Sequence, residues 1–284
     1  MSNHAELQQK TLFGHPIGLF VLFFTELWER FSYYGMRAIL VLYLVSETSG
    51  DNPGMGWADG DAIALYGWYT MFVYLATIPG GILADRFLGQ RKSVMVGGLL
   101  LCFGHGILAV QALWAFYTGL TFIVLGVGCL KGNISTMVGG LYSKSDNDKR
   151  DMGFYIFYMG INVGAAVSAI VVGYIGEVYN WHYGFGLAGI GMAIGQFVYW
   201  KGQKYLSHVG NMIELDSTEK KSENLFLQIF KKSNSLIGFS VTALLGLYIG
   251  YSGDWSYGLL LIGISFAVGF AIVVYNDGNK IEKD

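Results

Sequence analysis

Charge is scarce in this sequence. Asp, Glu, Lys and Arg make up 13% of its 284 residues, about half the share typical of a soluble domain. What charge there is nearly balances, at a net −2, so no basic field exists to hold a nucleic acid. Proline is limited to three residues, which leaves long helices uninterrupted. The two cysteines, Cys102 and Cys129, sit inside apolar runs without metal-ligand spacing and read as small packing residues. There is no glycine-rich nucleotide loop, no Cys/His cluster and no nucleophile–base set. Neither an enzyme nor a cofactor is therefore expected. The first apolar run is long and lacks a small-residue cleavage site, so no signal peptide is expected.

Apolar residues, by contrast, reach 53%, and glycine reaches 41 residues, a composition usual where membrane helices pack closely. After a polar lead-in over 1–18 with a turn at His15-Pro16, apolar runs cover about 19–45, 62–83, 95–115, 118–138, 153–176 and 183–200. Each is long enough to cross a bilayer. Pro79 predicts a kink in the second. The loops alternate in charge. Arg86, Arg91 and Lys92 follow the second run, Lys144, Lys149 and Arg150 the fourth, and Lys201 and Lys204 the sixth. Loops after the first, third and fifth runs hold no Lys or Arg. By the positive-inside rule, both ends of the six-helix block are cytosolic.

Beyond this block the character changes. A charged cytosolic connector is expected over 206–235, a helical hairpin over 236–276 and a cytosolic tail over 277–284. The expected fold is an all-α membrane protein: a six-helix bundle over 1–205 plus a two-helix hairpin, about eight membrane helices in total.

The first run is organised around Glu26, Glu29, Arg30, Tyr33, Tyr34 and Arg37. Each ion near the middle of a membrane helix costs roughly 2.5–3.5 kcal/mol on insertion scales. Glu26, Arg30, Tyr33 and Arg37 are spaced by four, three and four residues, which places them on one stripe with Glu29 at its edge. The expectation is a stripe facing a wet cavity. The alternative is a buried structural salt-bridge cluster. Leu27, Trp28 and Phe31 on the other side can meet lipid or packed neighbours.

The run Glu26-Leu27-Trp28-Glu29-Arg30-Phe31-Ser32-Tyr33-Tyr34-Gly35 resembles the first-helix signature of the proton-dependent oligopeptide transporters, a branch of the major facilitator superfamily. Residues 81–92, with Gly81, Asp85, Arg86, Gly89 and Arg91, resemble the superfamily's gating loop between the second and third helices. Lys131 resembles a family lysine, with Gly132 where proline usually follows. Residues 157–165, around Asn162, resemble the fifth-helix signature, and Tyr74 matches a pocket-facing tyrosine. Where animal relatives carry a histidine, Gly67 stands. His105 reads as a hydrogen-bonded packing residue.

The resemblance implies a six-helix N-terminal half of the major facilitator fold plus the inter-half helix pair, with the second six-helix half absent from this sequence. It implies proton-coupled symport of di- and tripeptides across the bacterial inner membrane, with the proton as coupling ion. A peptide is a zwitterion that cannot cross hydrocarbon unaided. Arg30, Arg37 and Lys131 suit its carboxylate, Asn162 its backbone, and Tyr33, Tyr34 and Tyr74 its variable side chains. Glu26 and Glu29, beside Arg30, suit proton coupling, because burial and the neighbouring cation act in opposite senses on their protonation. Three other readings stand beside this one: a half-size transporter that dimerises, a membrane protein without transport activity, and a carrier of another small anion.

Overall fold

Hydrocarbon offers no water to a backbone, so an apolar run of twenty residues must close its hydrogen bonds within itself, as helix. The computed structural model describes residues 10–211, Lys144 excepted, and Arg86 by its backbone alone. All of these belong to one compact unit, Met1–Ile213. The rest of the expected connector, the hairpin over 236–276 and the tail over 277–284 lie outside the described residues.

Among the described residues seven α-helices form six rods: α1 (Ile17–Val45), α2 (Asp59–Leu75), α3 (Thr77–Leu83), α4 (Gln90–Leu108), α5 (Leu113–Gly140), α6 (Asn147–Val178) and α7 (Trp181–Gly202). Helices α2 and α3 are one rod, broken at Ala76. Pro79 has no N–H for the carbonyl of residue 75, so the break falls one turn before the proline. By length and composition Asp59–Leu83, Leu113–Gly140 and Asn147–Val178 suffice to cross a membrane. Helix α1 is longer than two of these, but Glu26, Glu29, Arg30 and Arg37 lie within it.

Several expected boundaries move. The third rod ends at Leu108, not near 115, and residues 113–117 open α5. The intervening turn, Ala109-Val110-Gln111-Ala112, is uncharged and only Gln111 is polar, so hydropathy alone does not reveal it. Lys149 and Arg150 lie in the first turns of α6, not in a loop. His15-Pro16 is not the turn but a short strand β2, paired antiparallel with β1 (Thr11–Leu12). The turn is Phe13-Gly14, whose φ angles are +50° and +78°.

Helix α1 packs along α6 and α7, α4 along α5 and α7, and α3 on α5. Glycines permit these close approaches. A β-carbon at Gly97 would lie 2.7 Å from the Gly126 carbonyl oxygen, and one at Gly104 would lie 2.9 Å from that of Gly119. The two pairs repeat every seven residues along the α4–α5 seam, the spacing of a helix face.

The ends of the bundle differ. At the acidic end the α1–α2 loop is clamped to the α6–α7 corner by Asn52. Its Nδ2 donates to the carbonyls of Gly176 (2.7 Å) and Glu177 (3.2 Å). Its Oδ1 accepts from the Trp181 N–H at 3.1 Å, and its carbonyl accepts from Trp181 Nε1 at 3.0 Å. Asn52→Ala is expected to lower stability by about 2 kcal/mol, since the side-chain partners lose their bonds. Thermal unfolding in detergent measures it, and an unchanged melting temperature would show that water replaces the clamp.

At the basic end, Gly89 turns the chain with φ +75°, after a π-helical turn over Ala84–Leu88. The Arg91 N–H donates to the Gly210 carbonyl (2.8 Å), and the Tyr199 hydroxyl donates to the Arg91 carbonyl (2.9 Å). Leu206 and Val209 are buried. Residues 206–211 are thus part of the bundle, not the start of a solvated connector. Nearby, the Tyr142 hydroxyl is 2.9 Å from His15 Nδ1. Burial, helped by Asp146, pushes the Tyr142 phenol up to about 12, so it keeps its proton.

Candidate functional site

At about 1.5 Å per residue, α1 is about 43 Å long, and Arg30 stands at its middle. One guanidinium nitrogen holds both acids. Arg30 Nε is 3.0 Å from Glu26 Oε1 and also contacts Glu29 Oε2. Exposure is 3% for Glu26, 0% for Glu29 and 3% for Arg30. Glycines on the neighbouring helices bring the seal this close. A β-carbon at Gly164 on α6 would strike the Leu27 carbonyl and lie 3.2 Å from Arg30 Cβ. On α7, one at Gly195 would lie 2.8 Å from Trp28 Cβ. Phe31 is buried and Trp28 partly so, so that side of α1 meets packed neighbours.

The polar stripe therefore does not face water along its whole length. Glu26, Glu29 and Arg30 form a sealed cluster, whereas Tyr34 and Arg37 are only partly buried. The seal is incomplete in hydrogen bonds. Glu26 Oε2, Glu29 Oε1 and Arg30 Nη2 have no protein partner among the described residues. Arg30 thus spends its Nε–H on the acids and keeps Nη2 as an unspent donor.

Tyr33 and Tyr34 link the sealed and open parts. The Arg30 guanidinium lies 5.3 Å from the Tyr33 ring centre and 5.8 Å from that of Tyr34. Arg37 lies at the same distances from the same two rings. Arg37 also donates from Nε to the Tyr66 hydroxyl at 2.8 Å and sits 5.0 Å from that ring. The two cations thus share an aromatic spacer, the arrangement expected of cation–π pairing away from bulk water.

Lys131 turns toward Tyr74, with Nζ 4.2 Å from the ring centre, and lies within electrostatic range of Glu26. Tyr74 itself is 53% exposed. Asn162 stands apart: it is exposed, and its Nδ2 donates to the Tyr158 carbonyl of its own helix at 3.0 Å. Of the loop residues, Asp85 is exposed, and Gly89 and Arg91 form the turn described above. Gly81 has open space around it. The close approach belongs to Gly80, whose added β-carbon would strike Gly128 of α5.

Tyr66, Tyr69 and Thr70 join Tyr74 on one side of α2, and their spacing from it is the signal the sequence carries for them. Ser32, which no local spacing singles out, has its hydroxyl 3.1 Å from His105 Nε2. His105 Nδ1 is 2.9 Å from the Leu101 carbonyl oxygen. Both ring nitrogens are engaged and the residue is fully buried, as a packing histidine should be.

A profile of the POT family matches residues 91–269. The di-/tripeptide transporter of Lactococcus lactis subsp. cremoris is 40% identical over 285 residues, covering 97% of this chain and 56% of that protein. Among solved structures, a mutant of the peptide transporter POT in complex with alafosfalin superposes with a TM-score of 0.72. It is 43% identical over 85% of this chain and 51% of that one. A POT family transporter in complex with 5-aminolevulinic acid gives a TM-score of 0.73 at 37% identity, over 88% of this chain and 50% of that one. The chain spans about half the length of the relatives it matches. An all-helical bundle with an acid–arginine cluster in its first helix, matched by this profile and these structures, has one reading: the chain belongs to the POT family of transporters and is a multi-pass membrane protein.

Proposed function

We propose that this chain provides the N-terminal half of a proton-coupled symporter of di- and tripeptides in the bacterial plasma membrane. The observation that carries the proposal is the sealed cluster, in which two carboxylates share one guanidinium and leave one of its donors unspent. Two acids against one cation leave the cluster one proton short of neutral. In a low-dielectric interior that imbalance costs several kcal/mol. A proton taken up by Glu26 or Glu29 neutralises the cluster and loosens that acid's hold on Arg30. The guanidinium then turns its fork to a peptide carboxylate, for which its geometry is suited.

Arg37 and Lys131 give the peptide carboxylate further positive charge. Tyr33, Tyr34, Tyr66 and Tyr74 form a wall with polar tips that tolerates many side chains. Asn162, exposed on α6, offers an amide to the peptide backbone. The helical segment and turn that carry Gly81, Asp85, Arg86, Gly89 and Arg91 act in gating, at the end whose lysines and arginines favour the cytosol. In this reading a second six-helix half supplies the opposite wall.

Acid-driven uptake of a labelled dipeptide into cells or proteoliposomes tests the reading. Glu26→Gln with Glu29→Gln is expected to abolish proton-driven accumulation, a loss of about 100-fold or more if proton exchange sets the rate, while peptide exchange at equal pH survives. Unchanged accumulation in the double variant would refute proton coupling through this cluster. Competition by 5-aminolevulinic acid, which also joins an amine and a carboxylate in one small molecule, then measures how strictly a peptide bond is required.

A further inference from the structure

Helix α2 carries a row of hydroxyl-bearing side chains, two of which, Tyr69 and Thr70, the reading above leaves idle. Tyr66, Tyr69, Thr70 and Tyr74 follow one another at three, one and four residues, so they share one side of the helix. Ala62 and Val73 on that side are fully buried, so it faces into the bundle. Tyr69 is 4% exposed. Its hydroxyl has no protein hydrogen-bond partner among the described residues, and neither do Thr70 Oγ1, the Tyr33 hydroxyl or Glu29 Oε1.

Geometry gathers these orphaned groups where α1 meets α2. Tyr33 stands one turn after Glu29, and Tyr69 one turn after Tyr66. Arg37 joins the two helices, donating to the Tyr66 hydroxyl at 2.8 Å while lying 5.3 Å from the Tyr33 ring centre. Tyr69 lies within electrostatic range of Tyr33, Arg37 and Glu29 on α1, and of Tyr66 on its own helix. Tyr33 is within range of Arg37, Arg30, Glu29 and Tyr74. From α5, which also packs on α2, Lys131 is turned to the Tyr74 ring. Leaving a buried hydroxyl unpaired costs about 1–3 kcal/mol. Several such groups together escape the cost by sharing ordered water, which needs two to four polar partners of this kind.

We infer that the Tyr69 and Tyr33 hydroxyls are links in a water-bridged hydrogen-bond chain from the open Arg37–Tyr66 face to the buried Glu29 carboxylate. Tyr69 is then a positioning residue for the protonation of Glu29. A hydronium ion at the open face gives a proton to the first oxygen. Each hydroxyl passes its own proton forward as it accepts one from behind, and the last proton adds to Glu29. Both phenols end as phenols, and the net change is one carboxylate converted to a carboxylic acid. The inference rests on the proton-coupled reading for its purpose, not for its geometry.

The test is a rapid pH jump on the purified protein in detergent, with the carboxylic C=O stretch followed by time-resolved infrared spectroscopy. Glu29→Gln assigns the band. Tyr69→Phe keeps the buried ring and removes only the hydroxyl. It is expected to slow Glu29 protonation at least about tenfold, with the midpoint of the titration and the melting temperature unchanged. Tyr33→Phe should slow it similarly, and the double variant should be no slower than the slower single one. An unchanged rate in Tyr69→Phe, effects that multiply in the double variant, or a Glu29 band that never responds to pH would each overturn the relay. The measurement needs no peptide. Failure to move peptide would therefore count against the transport reading alone, while the infrared rates decide the relay.

Discussion

Arg30→Met is expected to destabilise the bundle by about 3–5 kcal/mol, the cost of leaving buried charge without its partner. Glu26 and Glu29 would then be two carboxylates, 3% and 0% exposed, with no guanidinium between them. The loss should shrink as the pH falls from neutral to mildly acid. In the variant the folded state needs its acids neutral, so it binds more protons than the unfolded chain, and stability rises as the pH drops. Adding Glu26→Gln and Glu29→Gln to Arg30→Met should recover much of the loss at neutral pH, because no buried charge remains. Thermal unfolding in detergent, followed by tryptophan fluorescence across pH, measures all three quantities. A variant as stable as its parent at neutral pH would show that water already reaches both acids.

Gly164→Val should have a comparable effect for a different reason. The β-carbon it adds meets the Leu27 backbone carbonyl, which cannot swing aside, and lies 3.2 Å from Arg30 Cβ. Helix α6 must therefore move off α1 beside the acid–arginine cluster. Overpacking of this kind costs typically 1–3 kcal/mol and more where backbone is struck, so a loss of about 3 kcal/mol is expected. Gly173→Val on the same helix is the control, since nothing lies within 4 Å of its added β-carbon. Equal melting temperatures for the two variants would show that α6 shifts on α1 without penalty.

The two predictions mark the boundary between what was legible in the residues and what was not. The four-residue step from Glu26 to Arg30 predicted their pairing, because neighbours one turn apart on a helix meet whatever surrounds it. Six apolar runs and the alternation of basic loops predicted six rods and two chemically distinct ends, because hydrophobic length and charge are properties of the chain itself. Boundaries within apolar stretches stayed hidden. The turn after Leu108 contains no proline or glycine, and its reversal depends on what packs around it.

Whether the cluster is sealed or wet was likewise beyond the residues. Burial depends on how closely α6 and α7 approach α1, and this is decided by glycines more than a hundred positions away, Gly164 and Gly195 among them. Tyr69 shows the same division. Its spacing placed it on a side of α2, but only the packing of α2 against α1 put its hydroxyl among groups without partners. The sequence by itself determined the helical runs, their order along the chain and the acid–base pairing within α1, because hydrophobic length and one-turn spacing are properties of the local chain. Tertiary structure alone decided which of those charges lose their water, because desolvation depends on the distance between helices remote in the chain.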